Sequence, residues 1–232
     1  LFWMTTLIKQ SNKIQELFSF DDANKKENDF DFIIGTDEAG RGPGAGPVFA
    51  AAVCFKEHNM DLYNELSILN DSKKLSEKNR EELYDIIKKH SIYFIQAGSV
   101  EDIEKNNILN TSLNCMKLSC EQVQKQLGKA KTLTLVDGNK LIKKYALPQK
   151  TVVKGDAKSA SIAAASILAK VSRDRFMDEL AQKFPQYGWE QNKGYLTAKH
   201  VDAIKQYGPT KWHRAKFLRN ILEDKTQQLG LF

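Results

Sequence analysis

Asp37 and Glu38 follow the apolar run of residues 32–36, Asp137 follows residues 133–136, and Asp156 follows residues 152–154 and Gly155. If these runs are neighbouring strands of one sheet, the carboxylates at their ends converge on a single edge. Gathered carboxylates repel one another, and hard divalent cations with oxygen ligands relieve that repulsion. Mg²⁺ suits a site of a few carboxylates completed by phosphate oxygens and water. Two such ions roughly 4 Å apart can activate a water and stabilise the leaving oxygen in phosphodiester hydrolysis. Taken singly, each acid has a second reading: Asp137-Gly138-Asn139 is also a turn sequence, and Asp156 is also a helix cap. Asp37-Glu38 ahead of a glycine-rich stretch is less ordinary. Asp174, in Ser172-Arg173-Asp174-Arg175, reads as a solvated or ion-paired helix face outside the site.

The elements that must position these acids are legible as apolar patterns. Residues 32–36 form a short strand, the Gly/Pro-rich stretch of residues 40–47 a turn, and residues 48–55 a second strand, together a hairpin. Residues 76–90 carry helical periodicity, with Leu83, Ile86 and Ile87 on one face and Ser76 as N-cap. Residues 91–100 read as a third strand, 101–129 as one or two helices, 132–136 as a fourth strand and 151–154 as a fifth. A long helix, Ala-rich at its start, spans about 159–183, and the last third is helical and irregular. The pattern is that of a mixed α/β domain with a helical C-terminal part over residues 31–222. Residues 1–30 are polar and mixed and read as a loosely held leader. Residues 223–232 form a tail.

Composition narrows the classes. The chain has 232 residues, a hydrophobic share of 41% and a formal net charge of +6. Those values describe a globular protein able to meet a polyanion, although a Lys-rich proteome gives the same number. Three cysteines, Cys54, Cys115 and Cys120, are too few for a disulfide framework and point to a reducing compartment, with the cytoplasm as the default address; Cys115 and Cys120, on a helix-like stretch, read as buried thiols. No apolar run is long enough to span a membrane.

Other segments fit a nucleic-acid partner. Gly40, Arg41 and Gly42 allow close backbone approach, so that amides can read a sugar hydroxyl and Arg41 can hold a phosphate. Lys73 and Lys74 precede a helix and can neutralise phosphates, or form an ordinary solvated surface. Tyr195, after Lys193-Gly194, can stack on a sugar or base, or pack at an edge. Lys211-Trp212-His213-Arg214 is basic and aromatic, with His213 read as a hydrogen-bonded structural histidine.

Read in order, these segments resemble the ribonuclease HII family. The matching pieces are Gly35-Thr36-Asp37-Glu38-Ala39-Gly40-Arg41-Gly42-Pro43, Asp71-Ser72-Lys73-Lys74-Leu75, Val136-Asp137-Gly138, and Lys154-Gly155-Asp156 with residues 161–171. Lys193-Gly194-Tyr195 and Tyr207-Gly208-Pro209 with His213-Arg214 complete the set, which covers about residues 32–217. The resemblance implies a ribonuclease H-like mixed sheet flanked by helices and an endoribonuclease using Mg²⁺ or Mn²⁺. Such an enzyme hydrolyses RNA in RNA–DNA hybrids and cuts 5′ of a ribonucleotide embedded in duplex DNA, leaving a 3′-hydroxyl and a 5′-phosphate. Carried over by motif, Asp37, Glu38, Asp137 and Asp156 are the catalytic metal ligands, and Gly40, Arg41 and Gly42 contact the 2′-hydroxyl. Tyr195 stacks at the junction, Lys73 or Lys74 lies near phosphates, and the working unit is expected to be a monomer. Three departures stand out. Gly44 replaces a usually larger residue, Leu196 replaces a common glycine, and Lys211-Trp212 replaces smaller residues. A structured-DNA nuclease of similar core and a silent nucleic-acid-binding module are the alternatives.

The chain ends Gln228-Leu229-Gly230-Leu231-Phe232. This resembles the pentapeptide by which bacterial proteins bind the sliding clamp. Gln228 would sit at a pocket rim, and Leu229, Leu231 and Phe232 would supply the apolar contacts. The alternative is a tail packed on its own domain.

Overall fold

Alternation along Val48–Phe55 sets the layering of the molecule. Ala51, Val53 and Phe55 bury against one layer, and Val48, Ala50, Ala52 and Cys54 against the other. A strand apolar on both faces requires cover on both sides of its sheet. The computed structural model describes residues 2–27 (2–12 as backbone), 29–69, 72 and 75–221. In chain order the elements are α1 (Phe2–Glu27), β1 (Phe32–Ala39), β2 (Val48–Phe55), α2 (Met60–Glu65), α3 (Glu77–His90), β3 (Ser91–Gly98), α4 (Val100–Asn106) and α5 (Ile108–Leu127). There follow β4 (Thr132–Asp137), β5 (Gln149–Val152), α6 (Ala160–Lys183), α7 (Trp189–Asn192) and α8 (Ala198–Tyr207).

The sheet order is β3-β2-β1-β4-β5. The first three strands form an antiparallel meander, and β4 and β5 run parallel to β1. Helix α6 lies on one face, its Ala163, Ala164, Ile167 and Leu168 packing with α1 and α3. Helix α5 covers the other through Cys115, Met116, Cys120 and Val123. All three cysteines are buried free thiols, pushed up to about 12 by burial, and so are inert packing groups. A third core joins the end of α6 to the C-terminal part through Met177, Leu180, Tyr187, Trp189 and Ile204. Among the described residues no helix is long and apolar enough to cross a membrane.

The expectation of a loosely held leader over residues 1–30 is corrected. Helix α1 occupies Phe2–Glu27, and Ile14, Leu17 and Phe18 are buried to 1% exposure or less. Their spacing of three and four places them on one face, and each contributes about 1.5–3 kcal/mol by leaving water. The next positions of that stripe are Asp21 and Asn24, which broke the apolar pattern. Both are buried and satisfied. Asp21 accepts from the Ser159 hydroxyl at 2.5 Å and from the Ser161 amide at 2.9 Å, and Asn24 accepts from Lys150 Nζ at 2.8 Å. Burial pushes the Asp21 carboxyl up to about 6, with those two serines pulling the other way. Through Asp21, α1 thus braces the first turn of α6, close behind the turn that carries Asp156.

Two further boundaries differ. Strand β1 continues through Asp37 and Glu38 to Ala39, because both acids pair with β2, opposite Ala51 and Ala50. Strand β5 lies two residues earlier than the pattern of residues 151–154 suggests. Val153 is exposed and Lys154 adopts a left-handed conformation (φ 56°), so the chain leaves the sheet there.

Candidate active site

The parallel register of β1 and β4 sets Thr36 beside Val136, so Asp37, two residues before the end of β1, and Asp137, the last residue of β4, come side by side on adjacent strands. Asp156 sits in the short 3-10 turn Gly155–Ala157 that follows β5. The left-handed Lys154 swings this turn back over the sheet edge, where the Gly155 amide donates to Asp137 Oδ1 at 2.7 Å. Asp37 is 8% exposed, and its Oδ1 accepts from the Glu38 amide at 2.7 Å. Burial first, and then the charges of Glu38, Asp137 and Asp156, hold the Asp37 carboxyl well above the usual carboxylate range. Only acids that share one small region act on each other in this way. The structure therefore brings all four sequence-predicted carboxylates to one sheet edge.

The donor set fits hard divalent cations: four carboxylates, one of them buried, in a region whose net repulsion asks for positive charge. In the present arrangement no three acidic, histidine or cysteine side chains among the described residues are drawn together as a ligating group. Several carboxylate oxygens are engaged with the protein itself. Asp37 and Asp137 accept backbone amides, and Glu38 Oε1 accepts from Arg41 Nη1 at 3.1 Å.

Beside the acids, residues 40–47 form a loop locked to two distant segments. The Gly44 and Ala45 amides donate to the Gly194 carbonyl at 2.9 and 3.2 Å, and the Gly46 amide donates to Trp212 O at 2.8 Å. Gly40 has φ +100°, a conformation that side chains resist, and a Cβ there would lie 2.1 Å from Arg173 Nε. A Cβ on Gly42 would lie 3.3 Å from the Tyr195 ring, which is 51% exposed. Gly40, Arg41, Gly42 and Tyr195 thus share one wall next to the carboxylates. Arg41, read from sequence as a phosphate holder, is paired with Glu38 here. Lys73 and Lys74, and Gln228, Leu229, Leu231 and Phe232, lie outside the described residues.

The carbonyl of Tyr195 accepts from His200 Nδ1 at 2.9 Å, and His200 Nε2 lies 3.0 Å from Trp189 Nε1 and 3.2 Å from His213 Nε2. His213 Nδ1 accepts the Thr210 amide at 2.9 Å. One assignment satisfies every contact: His200 carries its proton on Nδ1 and His213 on Nε2, both rings neutral. Burial lowers both, His213 to about 4. His213 is therefore the structural histidine read from sequence. Asp174 is ion-paired, with Lys170 Nζ at 2.6 Å, although it is buried and not solvated.

Gly44 and Leu196, which stand out separately in the sequence, meet in a single packing contact. A Cβ on Gly44 would lie 2.6 Å from Leu196 Cδ2, so the Leu196 side chain fills the space that a larger residue at 44 would take. Gly44→Leu alone is expected to collide, and Leu196→Gly alone to leave a gap. The double exchange should recover most of the loss, with a coupling of about 1 kcal/mol or more in a thermal-unfolding cycle. Strict additivity of the two single changes would refute the pairing.

Sequence reading missed Arg173 and Arg214. In sequence Arg173 is one charge of Ser172-Arg173-Asp174-Arg175, and Arg214 belongs to a basic and aromatic stretch compatible with nucleic acid. Both are buried, at 1% and 0% exposure. A signal was present for Arg173: it lies four residues after Ala169 on the face that α6 buries throughout its first half.

Solved structures with this architecture define the class. The ribonuclease H2 of Pyrococcus horikoshii superposes with a TM-score of 0.68 at 27% identity, covering 83% of this chain and 98% of that one. The RNase HII in a PCNA:RNase HII complex from Archaeoglobus fulgidus superposes at 0.64 and 27% identity, covering 79% and 93%. The mixed sheet flanked by helices is thus a ribonuclease H2-type fold. The model of the family Ribonuclease HII matches residues 34–220, and a Ribonuclease HII of Fusobacterium nucleatum is 50% identical over 197 residues, 84% of this chain and 90% of that protein. This chain belongs to the ribonuclease HII family and is an endoribonuclease of ribonuclease H type.

Proposed function

We propose that the chain hydrolyses the RNA strand of RNA–DNA hybrids and nicks 5′ of ribonucleotides embedded in duplex DNA, leaving a 3′-hydroxyl and a 5′-phosphate. The observation that carries this reading is the convergence of Asp37, Glu38, Asp137 and Asp156 beside the wall formed by residues 40–42 and Tyr195. Asp37, Glu38, Asp137 and Asp156 would hold Mg²⁺ or Mn²⁺. Such ions, when bound, lower the pKa of water and offset charge on a phosphate, the basis of two-metal hydrolysis. The chain's own part is positional. The edge of β1 and β4 sets two acids side by side, and the Lys154 turn after β5 brings Asp156 to them. The glycine loop presents backbone groups at a distance where a ribose hydroxyl can be read, since no Cβ intervenes at Gly40 or Gly42. The half-exposed Tyr195 ring offers a stacking surface next to it. Lys73 and Lys74 are assigned to duplex phosphates by motif.

The C-terminal residues Gln228, Leu229, Leu231 and Phe232 are proposed to bind a sliding clamp. The archaeal relative solved with PCNA supports a clamp partnership, and the apolar ends of the motif supply its chemistry.

The test is cleavage of a labelled DNA duplex carrying one ribonucleotide, with Mg²⁺, with Mn²⁺ and with chelator, alongside an all-DNA duplex and an RNA–DNA hybrid. Metal-dependent nicking 5′ of the ribonucleotide, with the all-DNA control intact, is the expected result. Cleavage of the hybrid alone would remove the junction activity and the roles given to residues 40–42 and Tyr195.

A further inference from the structure

Arg173 and Arg214 are buried cations whose donors are spent on backbone carbonyls. Arg173 donates from Nε to Pro47 O at 3.1 Å, from Nη2 to Ala45 O at 3.1 Å and from Nη1 to Lys193 O at 3.0 Å. Arg214 donates from Nε to Gly46 O at 2.9 Å and from Nη2 to Gly40 O at 2.7 Å. Its Nη1 reaches Pro43 O at 2.8 Å and Arg41 O at 3.2 Å. Every one of these acceptors belongs to the glycine loop or to the residue preceding Gly194-Tyr195. Two like charges under one loop are costly to bury, and burial lowers Arg173 to about 10 and Arg214 to about 9. Both stay charged at neutral pH, held by the inward-turned carbonyl dipoles.

We infer that Arg173 and Arg214 are positioning residues that clamp residues 40–47 and the Tyr195 turn into one rigid unit, and that this unit sets the preference for a single embedded ribonucleotide. Arg214 spans the loop from Gly40 to Gly46, and Arg173 ties the loop to Lys193. The inference rests on the functional reading above and extends it to residues that touch no substrate. A long hybrid offers a 2′-hydroxyl at every register, so a loosened loop still finds one. A single ribonucleotide offers one hydroxyl and one junction, and both halves of the clamp must meet it together.

A fork is required, because a lysine ammonium is a point donor that cannot span the four carbonyls Arg214 holds. With Arg214→Lys, kcat/KM for the duplex with one ribonucleotide is expected to fall about 100-fold, the scale of a misplacement near 1 Å, and for a long RNA–DNA hybrid by about tenfold or less. Arg173→Lys should show the same asymmetry. Hydrogen exchange gives a readout independent of activity: the Gly44, Ala45 and Gly46 amides should exchange faster in either variant while those of β1 and α6 keep their protection. Equal losses on both substrates would overturn the inference, as would unchanged exchange at those three amides. Wild-type protein that cuts neither substrate would instead overturn the functional reading, and the exchange data would still judge the clamp.

Discussion

Asp37→Asn is expected to lower cleavage by about a thousandfold while raising the melting temperature of the metal-free protein. The two effects share one cause. Asp37 is buried between strands and faces three further carboxylates, so in its ionised form it is held against both desolvation and repulsion. Asparagine keeps the oxygen that accepts the Glu38 amide and removes the charge. The sign follows from the raised carboxyl. Above its folded-state value the ionised group destabilises the fold, and the advantage of asparagine is full. As pH falls through the raised value the advantage shrinks, and below the ordinary carboxylate range, where the proton is bound in both states, it disappears. Activity moves the other way, because a neutral amide is a poor substitute for a hard anionic ligand. Several kcal/mol of lost charge stabilisation corresponds to roughly three decades in rate. Binding of the duplex should persist or strengthen, since one negative charge leaves the surface that meets phosphates. Thermal unfolding in chelator, single-turnover cleavage and a binding titration together check this. Turnover like that of the wild type would sink the assignment of Asp37.

The acids were legible in the sequence because buried strands read as continuous apolar runs and each acid interrupts one at its end. Their convergence was less so. That β4 lies next to β1 and not at an edge depends on a crossover through α5, which periodicity does not report. Helix α3 and its Ser76 cap were legible because that helix is amphipathic in the ordinary way, with the Ser76 hydroxyl accepting from the Asn79 amide at 3.2 Å. Helix α1 was not, since its buried stripe runs on into Asp21 and Asn24, and a buried hydrogen-bonded carboxylate looks in sequence like a solvated one. Arg173 and Arg214 were hidden for the same reason. Charge in a sequence is read as surface, and only the carbonyls turned toward these side chains show otherwise. The Gly44 and Leu196 departures looked like separate anomalies because their partnership spans about 150 residues of chain and exists only as a contact.

Gly35→Ala is expected to cost at least about 3 kcal/mol, although it adds a single methyl in a strand where alanine is otherwise tolerated. Gly35 sits in β1 two residues before Asp37, where the strand crosses the first turn of α6. A Cβ there would lie 2.2 Å from the Ser161 carbonyl carbon and 2.3 Å from the Ile162 amide nitrogen. The obstacle is helix backbone, not the end of a side chain that can rotate away. Overpacking against movable groups costs about 1–3 kcal/mol, and a backbone obstacle belongs at or above the top of that range. For a chain of this size such a loss lowers the melting temperature by about 6–12 °C. Helix α6 has little freedom to retreat. Its first turn is held by the Ser159 cap at 3.2 Å and by Asp21 of α1 at the Ser161 amide. The strain is therefore expected to fall on β1 and to move Asp37 relative to Asp137. Alanine at Gly35 should accordingly reduce cleavage even at temperatures where the variant is fully folded. Alanine at Gly138, whose Cβ would meet nothing within 4 Å, isolates the steric cause, because it pays only for its φ of +91°. If Gly35→Ala proved no more destabilising than Gly138→Ala, the close approach of β1 and α6 would not be what confines this position to glycine.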